Sequence, residues 1–263
     1  MAHERRRPAL KTLRGGSEPG DTVIVIHGTM DRSDSFRRVA DNLDGWTVVG
    51  YDRRGWGNSR SPDASDATFT VHVEDLCASL RTMPSPIVVG HSYGALVALC
   101  AADRQPELVR GILAFEPPIR WLPWWPAQDQ WEQSVRQAAS LGPEHAARSL
   151  LQAVAGRSEP ARRGGKEPPD MFADGQSLMT EMMDPALDTP YFEPLCLRTP
   201  TVVAAGSSSV AHHREVSRRL ADLLPRSRFC EIRGARHVAH ITHSTEFAAL
   251  IRETAQLCRD CEQ

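Results

Sequence analysis

Four short stretches carry residue types that could do covalent chemistry together. The first is Gly90-His91-Ser92-Tyr93-Gly94, between the apolar run 86–90 (PIVVG) and a helical pattern over 93–104. A serine at the apex of a sharp strand-to-helix turn presents its hydroxyl as a nucleophile. Its neighbours two positions away must be small, because the backbone passes close to itself there. Gly90 and Gly94 meet that demand. The following helix offers free amides and the positive end of its dipole to an oxyanion.

The second stretch, His27-Gly28-Thr29-Met30, directly follows the apolar strand 22–27. A loop there can turn the Thr29 amide toward the same crevice, and with the Tyr93 amide it makes a two-donor oxyanion hole. His27 reads as holding that loop by hydrogen bonds rather than as a base. The third stretch is Gly234-Ala235-Arg236-His237, after strand 227–232. The base for a serine nucleophile must be a histidine on a loop that reaches the apex. Of the ten histidines, His237 alone follows a final strand in this way. His240 and His243 lie close behind as alternative ligands or bases, and His91 reads as a structural or pocket-lining residue. The fourth stretch is Phe115-Glu116-Pro117-Pro118. A carboxylate at the end of the buried strand 110–115 is costly unless it is paired.

These stretches need a scaffold that brings them to one edge. Short β-branched runs at 22–27, 46–51, 86–90, 110–115, 200–205 and 227–232 alternate with helical patterns near 34–43, 70–82, 93–104, 212–224 and 244–258. That alternation predicts an α/β fold with a mostly parallel sheet flanked by helices on both faces. Residues 117–195 break it. They are rich in Pro, Trp and Met, with helical patterns near 127–140, 143–155 and 170–183 and a loop at 156–170. We read them as a helical cap insertion, leaving 1–116 and 196–263 as the core. Four of the six tryptophans lie within 121–131. Trp121, Trp124 and Trp125 are candidates for an apolar pocket wall above Ser92, against the plainer reading that they pack the cap onto the sheet. Met171, Met179, Met182 and Met183 suit either an adaptable lining or irregular packing.

The chain has 263 residues, 41% apolar and 24% charged, with net charge −2, so nothing points to nucleic acid. No apolar run of about 18 residues marks a membrane span. The opening MAHERRRPALKTLRGG lacks an apolar stretch, so no secretory leader is expected and the location reads as cytoplasmic. The six cysteines then read as reduced thiols. The lone CxxC at Cys258 and Cys261 has no second pair to complete a zinc site. Neither metal nor cofactor is expected, and a homo-oligomer is compatible with the sequence.

Taken together, His27-Gly28, the segment Tyr51-Asp52-Arg53-Arg54-Gly55-Trp56-Gly57-Asn58-Ser59, the GHSYG turn and the GARH turn resemble the α/β-hydrolase superfamily in order and spacing, over 21–116 and 199–258. The resemblance implies Ser92 as nucleophile, His237 as base, and the Thr29 and Tyr93 amides as the oxyanion hole. It gives Asp52 and its neighbours hydrogen-bonding roles. It also implies an acid about three residues after Gly206, and Ser209 stands there. Some members carry the acid one strand along, and Phe115-Glu116-Pro117-Pro118 is similar to the F/YEPP element of one bacterial branch. The implied triad is Ser92, Glu116 and His237. The implied activity is hydrolysis of an apolar ester, thioester or lactone through an acyl-Ser92 intermediate. Alternatives are a C–C bond hydrolase or cofactor-free perhydrolase on the same triad, or a catalytically weak ligand-binding homologue, which the missing carboxylate at Ser209 would suit.

Overall fold

The computed structural model describes residues 7–16, 21–60, 67–126, 130–155 and 171–262. The 156–170 loop read from the sequence lies outside the described residues.

Seven strands form one sheet in the order β1-β3-β2-β4-β5-β6-β7. They are β1 (Lys11–Arg14), β2 (Thr22–Ile26), β3 (Thr47–Gly50), β4 (Ile87–His91), β5 (Gly111–Phe115), β6 (Thr201–Gly206) and β7 (Ser227–Ile232). All neighbours pair in parallel except β1, which runs antiparallel to β3. Strands β4, β5 and β6 are buried along their whole length, as parallel strands covered on both faces must be. The edge strand β7 is instead only partly buried, and Arg228 and Glu231 are exposed there, which discourages edge pairing with another chain. The sequence reading missed β1. Its KTLR run has only Leu13 to bury and no β-branched alternation.

Helices α2 (Phe69–Leu80), α3 (Tyr93–Arg104) and α7 (Ala211–Leu223) share one apolar cluster with the sheet. Helices α1 (Arg37–Asp41) and α9 (Ser244–Glu262) share a second. A short helix, α8 (Ala239–Thr242), precedes α9. Helix α3 is rich in Ala and is buried from Tyr93 to Ala102, because small side chains let it lie close beneath the central strands.

Between β5 and β6 run α4 (Gln130–Ala139), α5 (Pro143–Ala155) and α6 (Met171–Met183). Val135, Ala146, Leu150 and Leu178 from these helices close a small core around Trp56 of the 52–59 segment. Buried polar bonds tie α6 down as well. Arg32 and Arg60 both pair with Asp174, which is 1% exposed. Among the described residues no helix is long and apolar enough to cross a membrane.

Candidate active site

The parallel register lines up the ends of five strands. Ile26 pairs with Gly90, His91 with Phe115, Phe115 with Ala204, and Gly206 with Ile232. The segments that leave β2, β4, β5, β6 and β7 therefore emerge side by side. They carry Thr29, Ser92, Glu116, Ser209 with His213, and His237 in that order. Order reverses at β2, which has β3 on one side and β4 on the other. In open α/β sheets the crevice at such a reversal is where ligands bind.

Ser92 sits at φ 54°, ψ −124°, a region L-residues rarely occupy. Its amide donates to the Phe115 carbonyl at 2.8 Å, so the sheet continues into the turn and holds it. A Cβ at Gly90 would lie 2.3 Å from Ala95 Cα, and one at Gly94 would lie 2.2 Å from the Ile26 carbonyl oxygen. Both are overlaps with backbone, so glycine is required at both positions. The first turn of α3 leaves the Tyr93 amide outside the helix ladder. Across from it, a Cβ built on Gly28 would stand 3.1 Å from Ser92 Cβ. The 27–30 loop thus lies against the nucleophile turn.

Glu116 is 1% exposed and also has positive φ, 48°. Strained residues of this kind persist only where their surroundings over-determine them. Oε1 of Glu116 accepts from the Gly206 amide at 2.8 Å and from the Ser209 hydroxyl at 2.5 Å. Oε2 lies 2.6 Å from His237 Nδ1 and 3.1 Å from His213 Nδ1. Burial pushes the carboxyl up, but hydrogen bonds and charge from His213 and His237 outweigh it and hold Glu116 well below the usual carboxylate range. An ionised Glu116 accepts Nδ1–H and leaves His237 Nε2 with its lone pair.

The loop after β2 is fixed from behind. His27 Nε2 accepts the Arg53 amide at 2.8 Å, and Arg53 Nε donates to the His27 carbonyl at 2.9 Å. Burial, then the Arg53 charge, lowers His27 to about 3, so it stays neutral. This fits the loop-holding reading of His27. Asp52 likewise accepts from Ser33 and Asn58 and serves the backbone.

The description "alpha/beta hydrolase fold" belongs to the family whose model matches residues 21–159, more than half of the chain. The chain belongs to the α/β-hydrolase family. A hydrolase of Bacillus subtilis, YraK, is 34% identical over 103 residues, 37% of this chain and 38% of that protein. Lipase LipV of Mycobacterium tuberculosis is 30% identical over 112 residues, 42% of each chain. The chain thus spans about two fifths of the length of the curated relatives it matches. Among solved structures, a bromoperoxidase from Bacillus anthracis superposes with TM-score 0.77 at 18% identity, covering 94% of each chain.

Two residues of this α/β-hydrolase site escaped sequence reasoning. His213 was passed over because it lies inside a helical pattern. The signal was there: a second polar residue one turn past the missing carboxylate. Ser209 was read as a gap, and it is a hydrogen-bond donor to the acid. The other was Glu181 of α6, 2% exposed, which accepts from Arg53 Nη1 at 2.5 Å, Trp56 Nε1 at 2.7 Å and the Thr29 hydroxyl at 2.6 Å. No local motif announces it, because its partners lie more than a hundred residues away. Removing one partner of such a buried pair leaves an uncompensated charge and costs about 3–5 kcal/mol. Glu181→Ala should lower the melting temperature by roughly 10 °C, taking about 2–4 °C per kcal/mol. Differential scanning calorimetry measures this, and a shift within 2 °C would mean that the pair is dispensable.

The three tryptophans have identifiable packing partners. Trp124 faces helix α7, with Arg219 over its ring at 5.9 Å, and lines a surface cavity with Ala211, His212 and Arg218. Trp124 is also partly buried against the apolar cluster that holds Trp125 and Tyr93. Trp125 is 8% exposed and stacks on His213 at 5.4 Å, which backs the acid. Trp121 packs edge-on against Phe192 at 5.8 Å. His91 fits the structural side of its reading. It is 4% exposed, and its Nε2 bonds the His237 carbonyl at 2.8 Å. Burial, then the nearby His240 and His237, pushes it well below the usual histidine range. His240 is buried against Asp31 at 2.9 Å, and His243 is half-buried beside Thr242.

Proposed function

We propose that this α/β hydrolase cleaves an apolar ester, thioester or lactone through an acyl-Ser92 intermediate. Residues 1–116 and 196–263 form its core, and 117–195 form a cap over the crevice. The observation that carries the reading is the 2.6 Å bond between His237 Nδ1 and the buried Glu116 carboxylate. It supplies the carboxylate absent at Ser209, and with it the catalytically weak alternative loses its main support.

In this mechanism Ser92 Oγ attacks the acyl carbon while its proton passes to His237 Nε2. The oxyanion is held by the Thr29 and Tyr93 amides. Glu116 keeps the histidine in the accepting tautomer and stabilises the imidazolium. His237 returns the proton to the leaving group. Water then repeats the sequence on the acyl-enzyme and frees Ser92. The test is labelling with a fluorophosphonate and mapping of the adduct by mass spectrometry. One adduct on Ser92 is expected, and an adduct elsewhere would remove this mechanism.

The pH dependence has a definite sign. A protonated base cannot accept the serine proton, so kcat/KM should rise with pH across about 5 to 8. Glu116 stays ionised throughout this range because its carboxyl is held low. One limb is therefore expected there, not two. A stopped assay on a p-nitrophenyl ester measures it, and a flat profile would exclude a histidine base.

A further inference from the structure

We infer that Glu116, His213 and His237 also form a binding site for a zinc-class divalent cation, and that its occupancy switches the enzyme off. The inhibitory half rests on the reading of His237 as base, and the binding half does not.

Among the described residues, donor atoms of three such side chains converge within 4.8 Å at this cluster and at Asp31, His91 and His240. The first cluster is the better donor set. Two imidazole nitrogens lie at 2.6 and 3.1 Å from one carboxylate oxygen, Glu116 Oε2. At the second cluster, among the described residues, only one imidazole nitrogen, His240 Nε2, is hydrogen-bonded to the carboxylate, at 2.9 Å from Asp31 Oδ2. Two imidazoles and a carboxylate suit zinc, whereas magnesium and calcium take all-oxygen sets.

The proposed hydrolysis needs one histidine on its acid, and this acid holds two. The surroundings are those of a metal ligand. Oε1 is pinned by the Gly206 amide and the Ser209 hydroxyl, which leaves Oε2 facing both rings. Hydrogen-bonded carboxylates and oriented rings are the usual support around a metal. Trp125, stacked on His213 at an interplanar angle of 27°, fixes that ring. Among the described residues, His213 Nε2 is buried without a hydrogen-bond partner. Moving the His213 proton from Nδ1 to Nε2 therefore breaks no bond at Nε2 and frees Nδ1 for the metal. Zinc bonds of about 2.0–2.2 Å in a tetrahedron set donors about 3.3 Å apart, so the cluster opens by less than about 1 Å. Water completes the fourth position. His237, with its side chain 14% exposed, gives the way in.

The inhibition follows from one proton. Zinc on His237 Nδ1 requires the ring proton at Nε2. No lone pair then remains to accept the Ser92 proton, and Glu116 is engaged by the metal.

Chelator-treated full-length protein, titrated with zinc chloride against a chromophoric chelator, tests the site. One zinc per chain is expected. His213→Asn keeps a short donor beside Glu116 but has no imidazole, and should weaken binding at least about 100-fold, the upper end of what loss of an orienting partner does. Ser92→Ala should bind zinc as the parent does, which separates this site from the hydrolytic reading. His240→Ala should also bind normally. Equal binding by parent and His213→Asn, or loss that follows His240 instead, would overturn the assignment. In the ester assay zinc should inhibit at the concentration at which it binds, and EDTA should restore the rate. Binding without inhibition would overturn the switch.

Discussion

Ser92→Ala should lower kcat on short aryl esters by about 10⁶, the size of the loss when a serine protease is deprived of its nucleophile or its base alone. The variant removes one oxygen and keeps Cβ, so the backbone at φ 54°, ψ −124° meets the same restriction as before. Its melting temperature should therefore match the parent, and the lost rate cannot be assigned to unfolding. Ser92→Gly makes the complementary point. Glycine occupies this region freely, and the strain there is about 1–3 kcal/mol. Ser92→Gly should be inactive yet at least as stable as the parent, after the smaller entropic penalty of glycine. Non-additivity gives the sharpest check. Residues that act as one unit lose their whole effect on the first deletion. Adding His237→Ala to Ser92→Ala should therefore cost less than about tenfold further. Unchanged turnover in Ser92→Ala would remove the acyl-enzyme, whatever the fold.

Six of the seven described strands and the 90–94 turn were legible because their signals are local. Strand β4 needs five buried residues, the turn needs glycine at two fixed offsets, and α3 needs small side chains. All of these lie within 87–104. The place of His237 was legible because few histidines follow the last strand, and its Nδ1 lies 2.6 Å from Glu116 Oε2. Long-range polar pairing was not legible. Glu181 reads as one more acid on a helix, yet it joins α6 to Arg53, Trp56 and Thr29. His213 reads as one more polar residue in α7, yet it shares a carboxylate with His237. The partner of Trp124 was not legible either. It packs beside α7, with Arg219 over its ring, and no spacing rule encodes that.

The largest remaining effect belongs to Glu116→Gln, and the geometry fixes how the loss arises. The amide is the same shape as the carboxylate but must place one NH₂. At the Oε1 position it would face the Gly206 amide and the Ser209 hydroxyl, both donors at 2.8 and 2.5 Å. The Gly206 amide is backbone at the end of β6 and cannot turn away. The carbonyl therefore takes that place, and the NH₂ is driven to the Oε2 position against His237 Nδ1. A donor there makes Nδ1 accept, which puts the ring proton on Nε2 and removes the base. This is the wrong-tautomer outcome of an Asp→Asn change in a serine-protease triad, which costs about 10⁴ in kcat. Glu116→Gln should fall by roughly 10² to 10⁴, toward the upper end. Ser209→Ala removes one donor from Oε1 and leaves the Gly206 amide, so it should lose less than about tenfold, within the roughly 0.5–1.5 kcal/mol net contribution of a typical hydrogen bond. Combining Glu116→Gln with Ser209→Asp restores a carboxylate next to the amide and removes a donor that the NH₂ must avoid. Part of the rate should return. Near-full activity in Glu116→Gln would make Glu116 a structural residue at the end of β5, and the His237 base would then have to work without its carboxylate.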